Sequence, residues 1–399
     1  MVQVRDLTQL KVEDLWREVK GDEEEWWGDI KQETLRAAKR LLESAMEEEL
    51  LECLRAGRYR RTDLRQGYRN GYRNRSLLTE LGLIEHIRVP RDREGDYTPG
   101  VLQKYQRRQN RINGLIREMF LAGVSTRRVG EVLEPILGVA PSPQTVSRIT
   151  RELDAEVRRF HHRLLSDQYC YLLLDGITLR VKSAPGVKKR LVLCAYGITP
   201  EGKREMISFR QASAESETQW EAFLKDLYDR GLHGKQLLLL VTDGNPGLHR
   251  ALDTVYPYVS RQRCWVHKLR NVATKLPRRT QDACLKKAKL IYQAGNKREA
   301  VVRFREWSAE WRCSQPRAVK CIEEDLEELL NFLDCPQAHW SKIRTTNAIE
   351  RAFREIRRRT RPMSCFQNSA SVDRIIYGVI CHLNASWKEK PLKEFTHLY

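Results

Sequence analysis

The sequence predicts an α/β domain split by an all-helical insertion and preceded by a mostly helical N-terminal region that includes a helix-turn-helix. Three observations carry this. From Gln168 onward strand-like and helix-like segments alternate. A charged helical block from Lys268 to about Asp334 breaks that rhythm. Between Tyr105 and Leu153, short helical stretches are separated by sharp turns.

The chain has 399 residues, 41% of them hydrophobic, which is enough to bury a large core and form two or more domains. The expected divisions are an N-terminal helical region (1–54), a basic segment with a small β-hairpin (55–103), the helix-turn-helix domain (104–166), the α/β domain (167–267 with 336–399) and the insertion (268–335). Lys and Arg number 72 against 53 Asp and Glu, a net charge of +19. Such an excess attracts polyanions and fits phosphate contacts on nucleic acid, although it bears on association and not on fold. Ten cysteines form no Cys-x-x-Cys and no regular framework, so they read as small apolar fillers in a reducing compartment. No run approaches the ~20 apolar residues of a membrane span, and Met1 to Leu15 lacks the apolar core of a signal peptide. The expectation is a cytoplasmic protein with no membrane partner.

In the N-terminal region Leu35, Ala38, Leu41, Leu42, Ala45 and Met46 recur at three-to-four spacing and make one apolar helix face, to pack on the chain's own core or on a second copy. Between Arg55 and Arg75 there are eight arginines against one aspartate, interleaved with Tyr59, Tyr68 and Tyr72. Arginine forks take phosphates bidentately or stack on bases, so Arg60, Arg61, Arg65, Arg69 and Arg73 are candidates for DNA contact; a solvated basic loop is the alternative. Two short runs around Gly82, Leu77 to Leu81 and Leu83 to Pro90, predict a small hairpin that braces these arginines. In the helix-turn-helix, Ser125 caps the middle helix, and Ser142 with Pro143 starts the last. Gln144, Thr145, Ser147 and Arg148 are its groove-facing candidates, against the alternative of a three-helix domain without DNA contact.

The α/β domain begins with a meander of strands at Tyr169–Thr178, Arg190–Ile198 and Arg204–Gln211. A helix from Ser216 to Arg230 follows, with a Ser216/Gln219 capping box and Trp220, Phe223, Leu224 and Leu227 on one face. The continuous apolar run Gln236 to Thr242 suits a strand buried on both faces. A short helix (Gly247 to Leu252) and a last strand (Arg261 to Val266) come next, and after the insertion a helix from Asn347 to Arg361, stopped by Pro362, closes the domain.

Three acids fall at the ends of these elements: Asp175 on the first strand, Asp243 ending the fourth, and Glu350 on the late helix. Three strands, a helix, then a fourth and fifth strand is the order of ribonuclease H-like nucleases. Carboxylates so placed hold two Mg²⁺ roughly 3.5 to 4 Å apart, one activating a water or 3′-hydroxyl and the other stabilising the leaving oxygen. Singly, Asp175-Gly176 and Asp243-Gly-Asn-Pro-Gly also read as turns, and Glu350 as the partner of Asn347 in a capping box or of Arg354 at i+4. Together, in this order, they favour the metal reading.

Several motifs resemble the mutator-type DDE transposases of bacterial insertion sequences: Gly67-Tyr-Arg-Asn-Gly-Tyr-Arg, Val89-Pro-Arg, Gly123-Val-Ser-Thr-Arg, Arg230-Gly-Leu, Gln262-x-Cys264-x-x-His267 with Arg270-Asn-Val, and Arg344-Thr-Thr-Asn-Ala-Ile-Glu-Arg. The likeness runs through nearly the whole chain, and the last two motifs are the specific ones. It implies that Asp175, Asp243 and Glu350 are catalytic metal ligands holding two Mg²⁺ (or Mn²⁺) per active site. It further implies double-stranded DNA as substrate, at terminal inverted repeats and target sites, with end recognition by the N-terminal region. A homodimer or higher synaptic complex, a circular intermediate and a bacterial, nucleoid-associated location also follow from it. The rival readings are a domesticated DNA-binding regulator without catalysis and a plain ribonuclease H-like nuclease.

Cys264 and His267 supply only half a zinc site, and no second pair has suitable spacing, so the expectation is a structural position beside the active site with His267 near phosphate. Past Glu350, Arg354, Arg357 and Arg361 share a helix face, with Arg351 and Arg358 nearby. Six arginines from Arg351 to Arg361 face Glu355 alone, which favours a DNA backbone as their counterion over a solvated face.

Overall fold

A computed structural model describes residues 23–60, 62–183, 186–361, 365–366 and 368–396. Arg61 and Pro362 lie outside the described residues, as does the stretch 1–22. The chain divides into two compact units, residues 1–120 with 125–149 and residues 121–124 with 150–399.

In the first unit the helix Glu23–Leu54 lies on a hairpin of β1 (Arg69–Thr79) and β2 (Gly82–Asp92). Leu35, Ala38, Leu42 and Met46 pack there with Leu77, Ile84, Ile87, Val89 and Leu102, so the apolar face meets the chain's own core. Leu41 does not join it and is 72% exposed, because its neighbour Leu42 occupies the stripe and one residue is a rotation of about 100°. The hairpin is longer than expected: Arg69 and Arg73 are on β1 itself, opposite Asp92 and Val89, and are not in a loop that the hairpin braces. Three helices follow, Asn110–Leu121, Thr126–Leu137 and Pro143–Arg151. The Ser125 side chain accepts from the Arg128 N–H at 3.3 Å and Ser142 accepts from the Thr145 N–H at 3.2 Å, as their cap positions predict.

The second unit is an α/β domain around a five-stranded mixed sheet in the order β5-β4-β3-β6-β7. Its strands are β3 (Tyr171–Ser183), β4 (Gly186–Ile198), β5 (Arg204–Ala212), β6 (Leu239–Thr242) and β7 (Arg261–Arg263). The first three form the expected antiparallel meander, and β3, β6 and β7 run parallel. Side chains alternate along a strand. Leu172 and Leu174 therefore join Leu193 and Leu240 beneath the helices Glu217–Asp229 and Pro246–Val255, where Trp220, Phe223, Leu224, Leu248 and Leu252 are wholly buried. Tyr171, Leu173 and Asp175 belong to the opposite face. Two expectations need correction. Ser216 makes no side-chain cap, so the capping box does not form. The last strand stops at Arg263, because the Cys264 N–H donates to Thr242 O at 2.8 Å and helix Trp265–Ala273 starts directly after it.

The insertion is helical throughout its main elements, Arg278–Ile291, Lys297–Trp311, Pro316–Glu323 and Leu326–Leu330. It is fastened back onto β7. Gln262 Nε2 donates to Leu329 O at 3.0 Å while its Oε1 accepts from the Phe332 N–H at 2.8 Å, and Trp265 Nε1 donates to Leu329 O at 2.7 Å. Arg263 is ion-paired with Asp325 and Glu328, and Lys268 with Asp325. This return delivers the chain to Thr345 and Thr346, just before helix Asn347–Thr360. Gly123 approaches the last turn of that helix closely: its φ is +99°, and a Cβ there would stand 2.6 Å from Arg359 O.

Candidate active site

Strand register directs the two aspartates toward one another. β3 and β6 pair Tyr171 with Leu239, Leu172 with Leu240 and Leu173 with Val241. Continued by two residues, that register runs from Asp175 toward Asp243, which lies one residue past the end of β6 and whose charge acts on the Asp175 carboxyl. Asp175 is buried, at 8% exposure, while Asp243 and Glu350 are half-buried. Burial first, and then the charge of Asp243, pushes the Asp175 carboxyl up to about 7; the Gly176 N–H opposes this, and Glu350 and Glu215 add to it. Its environment therefore contains both other predicted acids.

Each acid spends one oxygen locally. Asp175 Oδ1 accepts from the Gly176 N–H at 2.7 Å, and Asp243 Oδ1 from the Asn245 N–H at 3.0 Å. Glu350 Oε1 accepts from the Thr346 hydroxyl at 3.1 Å and lies 3.2 Å from His267 Nε2. Thr346 in turn meets Cys264: its N–H donates to Sγ at 3.3 Å, and its hydroxyl is also 3.3 Å from Sγ. The Cys-x-x-His motif and the Thr-Thr-Asn-x-x-Glu motif thus form one hydrogen-bonded unit. Glu350 makes no capping box with Asn347; Thr346 is the N-cap, and its hydroxyl reaches the glutamate instead.

A cavity of about 520 Å³ lies over this unit, lined by Asp175, His267, Glu350 and the basic residues Arg270, Arg351, Arg354 and Arg357. Arg361 is exposed at the end of the helix, and Arg358 is held by Glu355, which also takes Arg359. Among the described residues no three His, Cys, Asp or Glu side chains are drawn together tightly enough to make a formed metal site. The donors are nevertheless of the right kind for a hard cation: carboxylate oxygens, with Asp175 crowded by like charge.

The N-terminal candidates belong to the other unit. Arg60 is exposed, and Arg65 is turned onto the carbonyls of Gly57 and Arg60 at 3.2 and 2.6 Å. Arg69 is ion-paired with Glu47 at 2.6 Å. Arg73 and Thr145 line a second cavity, and Gln144 and Arg148 are exposed on helix Pro143–Arg151, with Ser147 half-buried.

Sequence reasoning missed Thr346, Arg270 and Glu215. Glu215 keeps solvent contact, yet local burial and then the charge of Asp243 push its carboxyl up, and its Oε1 lies 3.6 Å from where a Cβ on Gly176 would stand. It follows β5 in a loop and had no periodic signal to mark it. Thr346 stood in a recognised motif, but its pairing with Cys264 spans 82 positions and is visible only in three dimensions.

Residues 13–390 match the family described as Transposase, Mutator family. The chain is 35% identical over 349 residues to the transposase for insertion sequence element ISRM5 of Rhizobium meliloti, covering 88% of this chain and 87% of that protein. It is 34% identical over 347 residues to the transposase for insertion sequence element IS256 in transposon Tn4001 of Staphylococcus aureus, covering 86% and 87%. With the transposase for insertion sequence element IS905 of Lactococcus lactis it shares 32% identity over 327 residues, covering 82% of each. An extent of likeness that takes in the acid-bearing sheet, the insertion and the N-terminal unit alike places this chain in the Mutator family of transposases.

Proposed function

We propose that the chain is the DNA transposase of an insertion sequence, and that it cleaves phosphodiesters at the element ends and transfers the strand at a ribonuclease H-like centre of Asp175, Asp243 and Glu350. The carrying observation is the register that runs from Asp175 toward Asp243, with Glu350 close enough to act on the same carboxyl. The β5-β4-β3-β6-β7 order, with Asp175 on the unit's first strand and Asp243 directly after its fourth, supports the fold assignment. The relatives' names, transposases for insertion sequence elements, support an insertion sequence as the DNA acted on.

The three acids would hold Mg²⁺ or Mn²⁺ through their remaining oxygens. Two such ions, when bound, supply activation of the attacking oxygen and neutralise charge on the leaving one. The chain's own residues do the rest. Thr346 donates to one oxygen of Glu350, and His267 Nε2 stands 3.2 Å from the same oxygen. Arg351, Arg354, Arg357 and Arg270 line the cavity where a phosphate backbone would lie. Water attacks first and the freed 3′-hydroxyl second, so no side chain becomes esterified. The first unit, with three short helices and an arginine-bearing hairpin, would bind the terminal repeats as a helix-turn-helix module, and two ends call for at least two copies of the chain. On a labelled end duplex with Mg²⁺, Asp175→Ala, Asp243→Ala and Glu350→Ala should each abolish cleavage and joining while end binding persists. Cleavage retained in any of them would remove that residue from the centre, and cleavage without joined product would mark a plain nuclease.

A further inference from the structure

We propose that the first unit holds a receptor for one unstacked nucleotide of the bound DNA, with Tyr105 as its stacking platform. The inference rests on the reading of that unit as the DNA-end binder and adds what part of the DNA it takes. A cavity of about 560 Å³ opens between the hairpin, the segment 105–108 and the start of helix Pro143–Arg151. That is within the roughly 300–1,000 Å³ of small-molecule sites. Its lining carries two chemistries, with Arg73, Arg75 and Arg107 among the basic residues and Leu83 and Val139 among the apolar ones that keep solvent contact.

Tyr105 lines the same cavity, is 80% exposed and has φ +65°. A bulky side chain in the left-handed region is a strained conformation, retained only where its surroundings impose it. Here they do. The Gln106 N–H donates to Gln103 O at 3.0 Å, and the Gln103 N–H donates to Gln106 Oε1 at 3.2 Å. Arg75 donates to the carbonyls of both Gln103 and Gln106. The next residues are tied to the edge of β1, with the Leu78 N–H donating to Arg107 O and the Gln109 N–H to Leu78 O, both at 2.9 Å. The loop is built to hold an aromatic ring out of its own core.

Arg75 is the charged residue left in need. Burial, and then the neighbouring charges of Arg73 and Arg107, push it below the usual arginine range, and its guanidinium is spent on neutral carbonyls. A phosphate relieves that repulsion. The backbone of an undistorted duplex would satisfy the arginines but make no use of Leu83, Val139 or the exposed Tyr105 ring, which carries Lys104 Nζ 5.7 Å from its centroid. A nucleotide turned out of the stack satisfies both chemistries, its phosphate among the arginines and its base between Tyr105 and the apolar residues.

The test uses the full chain and a short terminal-repeat duplex, either perfect or with one extrahelical 2-aminopurine placed at successive positions. Affinities come from competition, and stacking from the 2-aminopurine fluorescence. At its preferred position the bulged duplex should bind at least about fivefold more tightly than the perfect one. Tyr105→Ala should bring that ratio to one with perfect-duplex affinity and thermal stability preserved, and Tyr105→Phe should keep it. A wild-type ratio of one at every position, or a Tyr105→Ala variant that weakens both duplexes equally, overturns the receptor and leaves the end-binding reading standing. Preference for the bulge without binding to the perfect duplex supports the receptor and removes duplex recognition by this unit. No binding to either removes both.

Discussion

His267 Nε2 lies 3.2 Å from Glu350 Oε1, the same oxygen that takes the Thr346 hydroxyl at 3.1 Å. A hydroxyl donor and an imidazole nitrogen on one oxygen restrain the carboxylate, and Oε2 is left for another partner. Groups that orient a metal-binding carboxylate in this way typically matter about 10–100-fold. His267→Ala should therefore slow cleavage by about that factor with end binding unchanged, and His267→Gln, which keeps a donor, should recover part of it. Wild-type cleavage by the alanine variant would remove the histidine from positioning.

Thr346 has a single hydroxyl proton and two acceptors in reach, Cys264 Sγ at 3.3 Å and Glu350 Oε1 at 3.1 Å. If the proton goes to the carboxylate, the thiol supplies its own to the threonine oxygen. Burial pushes the Cys264 thiol up, against the hydrogen bonds from Thr346 and nearby backbone, so it stays protonated for that task. Thr346→Val, which keeps shape and loses the relay, should lower the cleavage rate roughly tenfold; Thr346→Ser should stay near wild type. Equal rates for the two variants would show that the hydroxyl does not matter.

The acid pair makes the metal-free protein sensitive to pH. Asp175 is raised to about 7 from an ordinary 3.8, by burial and then by Asp243. A raised carboxyl favours folding below its unfolded pKa, and that advantage is lost as pH rises through about 7. In chelator, Asp175→Asn should then be more stable than wild type at pH 8 by about 1–3 kcal/mol, since each tenfold change in proton affinity is worth about 1.4 kcal/mol. Near pH 4 the two should unfold alike. Urea denaturation at both pH values checks this, and a variant less stable at pH 8 would contradict it.

Glu328 behaves in the opposite sense. Burial works to raise it, but hydrogen bonds from His249 and Arg263 outweigh burial and bring it down to about 2. The stability it contributes is present above the unfolded value of 4.5 and is lost as pH falls toward 2. Glu328→Gln should cost roughly 1–3 kcal/mol at pH 7, loosen the insertion from β7, and match wild type at the acid end. A uniform loss at all pH values would point to packing and not to the ion pair.

Much of this arrangement could be read in advance where burial dictates composition. The apolar runs ending at Leu174 and Thr242 must be covered on both faces, so they announce strands, and the acids directly after them are conspicuous. β1 was not legible in the same way. Arg69 to Arg75 is exposed along most of its length, so solvent imposes no alternation and the strand looks like a basic loop. The capping box at Ser216 failed for a related reason: two residues at the right spacing do not ensure that the serine side chain turns inward. Long-range partners such as Thr346 and Cys264, or Arg263 and Glu328, depend on how the insertion folds back, which local patterns do not encode.

The arginines after Glu350 are not equivalent, and salt dependence can separate them. Arg354 and Arg357 line the cavity over the acids, while Arg358 is held by Glu355 at 3.0 Å and is not part of that lining. A side chain that neutralises a DNA phosphate releases a counterion, so losing it flattens the plot of log affinity against log salt by about 0.9 for duplex DNA. Arg354→Ala and Arg357→Ala should each reduce the slope by nearly one, and Arg358→Ala should leave it in place. Binding of a terminal-repeat duplex across several salt concentrations measures all three. Unchanged slopes for Arg354 and Arg357 would mean that the DNA backbone does not cross this helix face, and the course of the substrate through the acid cavity would need to be redrawn.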